Sequence, residues 1–242
     1  TSFPGEFVDS YEIGAKTQWF GGALALNGTV FYQKYTDFQL NTFVGTEFIV
    51  DSIPEVNSTG VDLDVLWRLR DLGLSFQGGL TYADTEVEKF TAADLKNPAR
   101  FPSLSLLPGQ TLGFAPEWSL SGAVTYERDL GDQYRFLASV NAKYQSDYNT
   151  GSDLSPFKDQ DAYTVVNGRL GFGSKDERWA LEVWGQNLFD EDYYQVVFAA
   201  PLQGQFIPVG ATSYSAAADT NTYNAFLGAP RTFGATLRLK FQ

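Results

Sequence analysis

Tyr134-Arg135-Phe136-Leu137-Ala138-Ser139-Val140-Asn141-Ala142-Lys143-Tyr144-Gln145 decides the fold. Tyr134, Phe136, Ala138, Val140, Ala142 and Tyr144 fall on one side, and Arg135, Ser139, Asn141, Lys143 and Gln145 on the other, with only Leu137 out of place. A period of two marks a strand whose faces see different surroundings, one apolar and one polar. The pattern recurs outward in both directions. Phe233, Ala235, Leu237, Leu239 and Phe241 oppose Thr236, Arg238 and Lys240; no helical spacing fits them. Val61, Leu63, Val65, Trp67 and Leu69 oppose Asp62, Asp64, Arg68 and Arg70. Leu74, Phe76, Leu80 and Tyr82 alternate with Ser75, Gln77 and Thr81, as Trp118, Leu120, Val124 and Tyr126 do with Ser119, Ser121, Thr125 and Glu127.

Nine such segments are expected, near residues 10–20, 24–40, 56–70, 74–90, 116–128, 134–149, 160–173, 178–197 and 230–242. Many exceed the five or six residues usual in soluble sheets, and several pass the roughly 9 to 11 that cross a bilayer at a tilt. Their connections alternate in length. Gly21 to Ala23, Asp71 to Gly73, Asp129 to Gln133 and Ser174 to Glu177 are tight turns, whereas Asn41 to Glu55, Thr91 to Ala115, Thr150 to Asp159 and Phe198 to Ala229 are long. A compact soluble domain seldom carries such loops; an outer-membrane barrel has short periplasmic turns and long extracellular loops. The expected class is all-β, a transmembrane antiparallel β-barrel, with Thr1 outside and Gln242 on the periplasmic side.

Composition agrees. The 242 residues hold 17 Lys+Arg against 29 Asp+Glu, a net charge of −12, with no basic run, which argues against nucleic acid as partner. Cysteine and histidine are absent, excluding disulfides, thiolate or imidazole metal sites and His-based triads within these residues. No catalytic residue, metal site or cofactor is expected, and the chain is read as a non-enzyme. Aromatic residues reach 16 %. No run approaches the roughly 18 apolar residues of a membrane helix, and no charged-then-apolar leader opens the chain. Methionine is absent too, so Thr1 is expected not to be an initiator and the chain to be processed or part of something longer. Nine antiparallel strands do not close a barrel, and open edges do not survive in hydrocarbon; further strands are expected from another chain or segment.

Four stretches carry a family resemblance. Tyr11-Glu12-Ile13-Gly14-Ala15-Lys16 resembles the "YEIGxK" strand opening of TonB-dependent outer-membrane receptors. Trp184-Gly185-Gln186-Asn187-Leu188-Phe189-Asp190-Glu191-Asp192-Tyr193-Tyr194 resembles their "NLFDxxYY" penultimate strand, and Pro230-Arg231-Thr232-Phe233-Gly234 their "PRxxG" final strand, the barrel-insertion signal. Ala115-Pro116-Glu117-Trp118 looks like the family's strand entry. Gln242 after Phe241 departs from the usual aromatic terminus. The resemblance implies that residues 1–242 are the C-terminal portion of a 22-stranded plugged barrel, its fourteenth to twenty-second strands, lacking the plug and TonB box. It further implies a receptor nicked or divided near Thr1 in an extracellular loop, assembled with an N-terminal plug and the remaining barrel strands.

Candidate sites follow from the two faces. Lumen-facing charges, Arg68, Arg70, Arg135, Arg169 and Arg238 among them, fit a polar ligand's route or contact with a plug and water. Trp19, Trp67, Trp179 and Phe241 fit an interfacial girdle. The outer-loop aromatics Tyr148, Phe157, Phe198, Phe206, Tyr214, Tyr223 and Phe226 are the ligand-binding candidates, with loop self-packing as the plain alternative. The carboxylates of Asp159, Asp161, Asp190, Glu191 and Asp192 lack calcium-loop spacing and read as solvated strand ends. Asn27-Gly28-Thr29, Asn57-Ser58-Thr59 and Gly171-Phe172-Gly173-Ser174 are chance matches to glycosylation and nucleotide motifs.

The function so implied is active uptake of a scarce bulky nutrient across the bacterial outer membrane, energised by the TonB complex through the plug. Siderophore-bound iron is the leading cargo; carbohydrate, cobalamin and other chelates stay open. Outer-membrane lipids and a surface lipoprotein complete the expected partners. A passive porin is the alternative, with an outer-membrane enzyme and a soluble lectin as further classes. Deleting residues 198–229 is expected to abolish uptake and leave the barrel inserted.

Overall fold

The computed structural model describes residues 5–44, 47–95, 102–153, 155–200 and 222–241. Thirteen strands appear in chain order: β1 (Phe7–Trp19), β2 (Leu24–Val44), β3 (Glu47–Leu69), β4 (Leu74–Val87), β5 (Trp118–Leu130), β6 (Tyr134–Gln145), β7 (Tyr148–Asn149), β8 (Asp159–Gln160), β9 (Tyr163–Ser174), β10 (Trp179–Gln186), β11 (Tyr194–Ala199), β12 (Tyr223–Leu227) and β13 (Thr232–Leu239). Nine of them form one antiparallel sheet in the order β1-β2-β3-β4-β5-β6-β9-β10-β13. Each long strand therefore pairs with the next long strand along the chain, the meander of a barrel wall. The remaining four make two small hairpins, β7-β8 and β11-β12, above the long-connection end.

Register carries the two-faced pattern across the sheet. Val140 stands opposite Val124 and Gly168, Leu170 opposite Ala138 and Val183, and Leu181 opposite Phe172 and Leu237. On this face Ile13, Val30, Leu63, Val140, Leu170 and Leu237 are all exposed. Water would charge about 25 cal/mol per Å² for that surface, and soluble proteins do not leave apolar area this continuous uncovered. Acyl chains remove the cost. The opposite face carries Glu12, Asn27, Asp62, Gln77, Ser121, Asn141 and Arg169, the polar side of a barrel interior.

Aromatic pairs mark both rims of the apolar face. Trp67 meets Phe76 at 5.9 Å and Trp179 meets Phe172 at 5.7 Å near the tight turns. Tyr82 meets Trp118 at 4.7 Å near the long connections. Girdles of this kind seat the amphipathic rings at the headgroup level. The tight turns need left-handed backbone: Gly73 has φ 68°, and a Cβ there would lie 2.2 Å from the Glu127 carbonyl oxygen. Gly73 is thereby the residue that lets the β3-β4 turn lie against β5, whose Glu127 N–H donates to its carbonyl at 2.7 Å.

Several expected boundaries move. Residues 41–44 and 47–55 are ladder rather than loop: β2 and β3 run 21 and 23 residues, about twice a bilayer crossing. Past the membrane these strands meet protein, and Leu40, Ile53 and Val56 join Val87, Leu95, Leu104 and Leu107 in a buried cluster against which Tyr35, Phe38, Phe90 and Leu112 pack. Of ten buried apolar residues among those described, seven sit in that cluster, so the sheet itself has no soluble-type core. The ladder skips at Pro54, which has no N–H, opposite Asp37 with φ 54°. The expected strand 178–197 breaks after Gln186, where Asn187 and Asp190 adopt φ 49° and 58°; beyond it β11 pairs with β12, leaving the sheet. The expected strand 134–149 ends at Gln145 and 160–173 starts at Tyr163, because Tyr148, Asn149, Asp159 and Gln160 form the β7-β8 hairpin. Arg70 lies in the 3-10 turn Arg70–Leu72 and not on the strand wall.

Candidate functional site: the lumen wall and its outer mouth

Four of the five arginines singled out, Arg68, Arg135, Arg169 and Arg238, take the polar face by register. Their surroundings differ. Near the tight turns Arg135 contacts Asp129 at 3.0 Å and Glu127 at 3.2 Å, and Lys175 reaches Asp129 at 2.9 Å, so two cations meet two carboxylates. Higher on the wall Arg238 and Arg169 approach one carboxylate, Glu182, at 3.2 and 3.9 Å. Exposed pairs such as these contribute little to stability; their use is to place charge.

The outer-loop aromatics among the described residues fall into separate pairs. Phe157 packs against Tyr223 at 5.5 Å, and Phe198 against Phe226 at 5.6 Å, so the first pair joins the β7-β8 loop to β12 and the second holds β11 to β12. Tyr223 also shares a 3.1 Å hydrogen bond with Ser155 Oγ, and Lys158 Nζ lies 5.8 Å from its ring centre. Lys158 is itself buried with Asp153 at 2.7 Å. Tyr148 stands apart, lining a polar cavity of about 500 Å³ with Glu117, Asp147, Asp159 and Asp161. Phe206 and Tyr214 fall outside the described residues. Phe157 and Phe226 keep 51 % and 62 % of their surface exposed, so the pairs still offer ring area outward. Among the described residues no three acidic groups come together as a metal site.

The "NLFD" stretch proves to be a knot. Asn187 N–H donates to Asn167 Oδ1 at 2.9 Å; its Nδ2 donates to the carbonyls of Glu191 at 2.9 Å and Ala229 at 3.0 Å; its Oδ1 accepts from Glu191 N–H at 2.8 Å. Asp190 pairs with Arg231 at 3.1 Å, and Tyr193 stacks on Tyr163 with centroids 4.4 Å apart. The two motifs read from sequence thus bind each other, fixing where β10 stops and β13 begins. Trp184, in the first of them, was not singled out for a role. Its place beside Glu182 and Gln186 in the alternation is the signal that puts it on the polar face, where it lines a cavity of about 440 Å³ with Asn141, Asn167, Arg169 and Arg238.

An antiparallel meander with one apolar face between two aromatic rims and one charged face is a wall segment of an outer-membrane β-barrel. More narrowly, the chain belongs to the TonB dependent receptor-like β-barrel family, whose model matches residues 2–188. It is 30 % identical over 193 residues to the ferric-pyoverdine M114 receptor PbuA of Pseudomonas sp. (strain M114), covering 78 % of this chain and 21 % of that protein. Its fold is similar to the ferric yersiniabactin uptake receptor FyuA of Yersinia pestis, with TM-score 0.72 and 19 % identity, covering 99 % of this chain and 31 % of that one. The ferric-catecholate import receptor Fiu of E. coli K12, in its closed form, aligns with TM-score 0.67 and 18 % identity, covering 99 % and 28 %. The chain therefore spans between a fifth and a third of the length of these relatives. Its place is the bacterial outer membrane.

Proposed function

We propose that these residues form the C-terminal nine strands of a plugged barrel that takes up a ferric siderophore, drawing energy from the TonB complex through the plug. The observation that carries it is the two-faced sheet: β1 and β13 each pair on one side only among the described residues, and the polar face they bound suits a plug and a moving solute. On the family's count these are strands fourteen to twenty-two, with the plug and earlier strands contributed by residues outside this chain. The names of the relatives, receptors for ferric pyoverdine, yersiniabactin and catecholates, support iron as the metal carried. The absence of His, Cys and Met from the wall fits capture of a whole chelate over a bare transition metal.

Uptake of radioiron by iron-starved cells, with and without the gene, tests this. Saturable uptake from a siderophore panel that stops when TonB is deleted or the inner-membrane proton gradient is collapsed is the expected result. Uptake that rises linearly with concentration and ignores both treatments would identify a passive pore instead.

A further inference from the structure

Trp184 is a large ring on a face rich in small, polar and charged groups, which it shares with the apolar Phe31, Leu66 and Leu137. By register it stands between Arg169 on β9 and Gly234 on β13. Gly234 has no side chain and the indole lies across it, so that a Cβ there would come 2.2 Å from the ring's Cζ2. Trp184 Nε1 donates to Thr236 Oγ1 at 3.3 Å. Backbone below and hydrogen bond at the edge hold the ring flat to the wall. Two residues earlier on the same face, Glu182 meets both Arg238 and Arg169, and two guanidiniums on one carboxylate leave one positive charge in a chain whose net charge is −12. Arg169 and Arg238 remain 45 % and 65 % exposed at the side chain. The amides of Asn141 and Asn167 complete a cavity of about 440 Å³, large enough for a chelating arm and much too small for a protein domain. Trp184 lies two residues from the outer end of β10, next to the Asn187 knot and so toward the outer end of the wall.

A fixed indole face beside an unneutralised guanidinium and primary amides is a donor set for a flat anion: the ring stacks, the cation takes the charge and the amides meet rim oxygens. We propose that Trp184, Arg169 and Arg238 form a contact site at the outer mouth of the lumen for a planar, anionic, oxygen-rich group of the cargo, favouring catecholate- or phenolate-type ferric complexes over neutral hydroxamate ones. The site rests on the reading of this chain as part of a ferric-chelate transporter.

The test uses the intact receptor containing this chain, purified from outer membranes in detergent, with radioiron equilibrium dialysis against two probes. One is the iron(III) complex formed in excess catechol, which is anionic; the other is iron(III) tris(acetohydroxamate), which is neutral. Trp184→Leu and Arg169→Gln are each expected to weaken the catecholate complex at least tenfold, roughly the worth of a desolvated ring-cation contact, and to leave the hydroxamate within about twofold. Trp184→Phe, which restores a ring, is expected to recover most of the loss, and heat-modifiable migration reports that each variant is a folded barrel. Catecholate binding equal in all variants would overturn the site while leaving the transporter reading intact. Equal weakening of both probes, the signature of a displaced plug, would overturn it as well. Failure of the unsubstituted receptor to bind either probe would remove the ferric-chelate reading together with the site.

Discussion

At the scale of single residues, Asn187 does more to define this end of the barrel than any charged group. Its side-chain amide holds the turn through Glu191 and the approach to β13 through Ala229, its backbone N–H holds β9 through Asn167, and it is buried. Asn187→Ala would leave two carbonyls and one N–H without their partner in a protected place, a loss of roughly 1–3 kcal/mol each before relaxation and water entry. The expected result is a barrel that still inserts but loses its heat-resistant fast-migrating form at a lower temperature, with the change concentrated in faster proteolysis around 187–231. Asn187→Asp keeps the acceptor, loses both donors and is expected to be as damaging, because a buried carboxylate would face two carbonyls. The positive φ of Asn187 and Asp190 explains why these residue types stand there: both tolerate the left-handed region with a local hydrogen bond. That much was open to reading. What hid it was the return of apolar residues at Tyr194, Val196 and Val197 after Leu181 and Val183, which made one long strand of two short ones in different sheets, although the period changes phase between them.

At the scale of elements, legibility follows the solvent. Where lipid lies on one side and water or polar protein on the other, alternation is forced, and β1, β4, β5, β9 and β13 stand within three residues of their expected limits. Where β2 and β3 rise past the membrane, both faces meet polar or protein surroundings, and the stretch from Asn41 to Glu55, with its Asn, Thr, Gly, Asp and Pro, reads as loop though residues 41–44 pair with 47–50 as ladder. The outer aromatics were visible as a set, but their pairing, Phe157 with Tyr223 and Phe198 with Phe226, depends on hairpins that no local period reveals. Among the outer connections, the 3-10 turn Ala92–Asp94 has a titratable lock. Asp94 Oδ2 accepts from Thr91 N–H at 2.7 Å and from Thr91 Oγ1 at 2.8 Å, and the backbone bond first, then the hydroxyl, holds its carboxyl below the usual range. A depressed pKa gives stability that is complete above the unfolded carboxyl's value and is lost as pH falls through the folded one. Amide hydrogen exchange at Thr91 and Asp94, corrected for intrinsic rates, is therefore expected to be flat from pH 8 to 5 and to quicken toward pH 3. In Asp94→Asn, protection is expected to be lower throughout and independent of pH over that range.

At the scale of the whole molecule, the two faces and the two ends each make a separate demand. Val140 and Ser139 are neighbours in the middle of β6 and point to opposite faces. Val140→Arg places a guanidinium among acyl chains, at a cost of about 2–4 kcal/mol near the bilayer midplane, whereas Ser139→Arg enters a face that already carries Arg135 and Arg169. Urea unfolding in lipid vesicles is expected to show that cost for the first and less than about 1 kcal/mol for the second. Equal effects would contradict the inside-outside assignment of the sheet. The ends are settled by a different measurement. The tight turns, Phe20–Gly22 and Arg70–Leu72 among them, must share one side of the membrane, and the β7-β8 and β11-β12 hairpins the other, because every strand between them is antiparallel to its neighbour. Since these 242 residues contain no cysteine, one introduced at Lys175, in the β9-β10 turn, or at Phe226, 62 % exposed on β12, is a reporter read against labelling of the unsubstituted receptor. A membrane-impermeant maleimide added to intact cells is expected to label Phe226→Cys and to reach Lys175→Cys only after the outer membrane is permeabilised. The reverse pattern would turn the barrel over, put the long connections in the periplasm, and deny the wall cavity at Trp184 its place at the entrance.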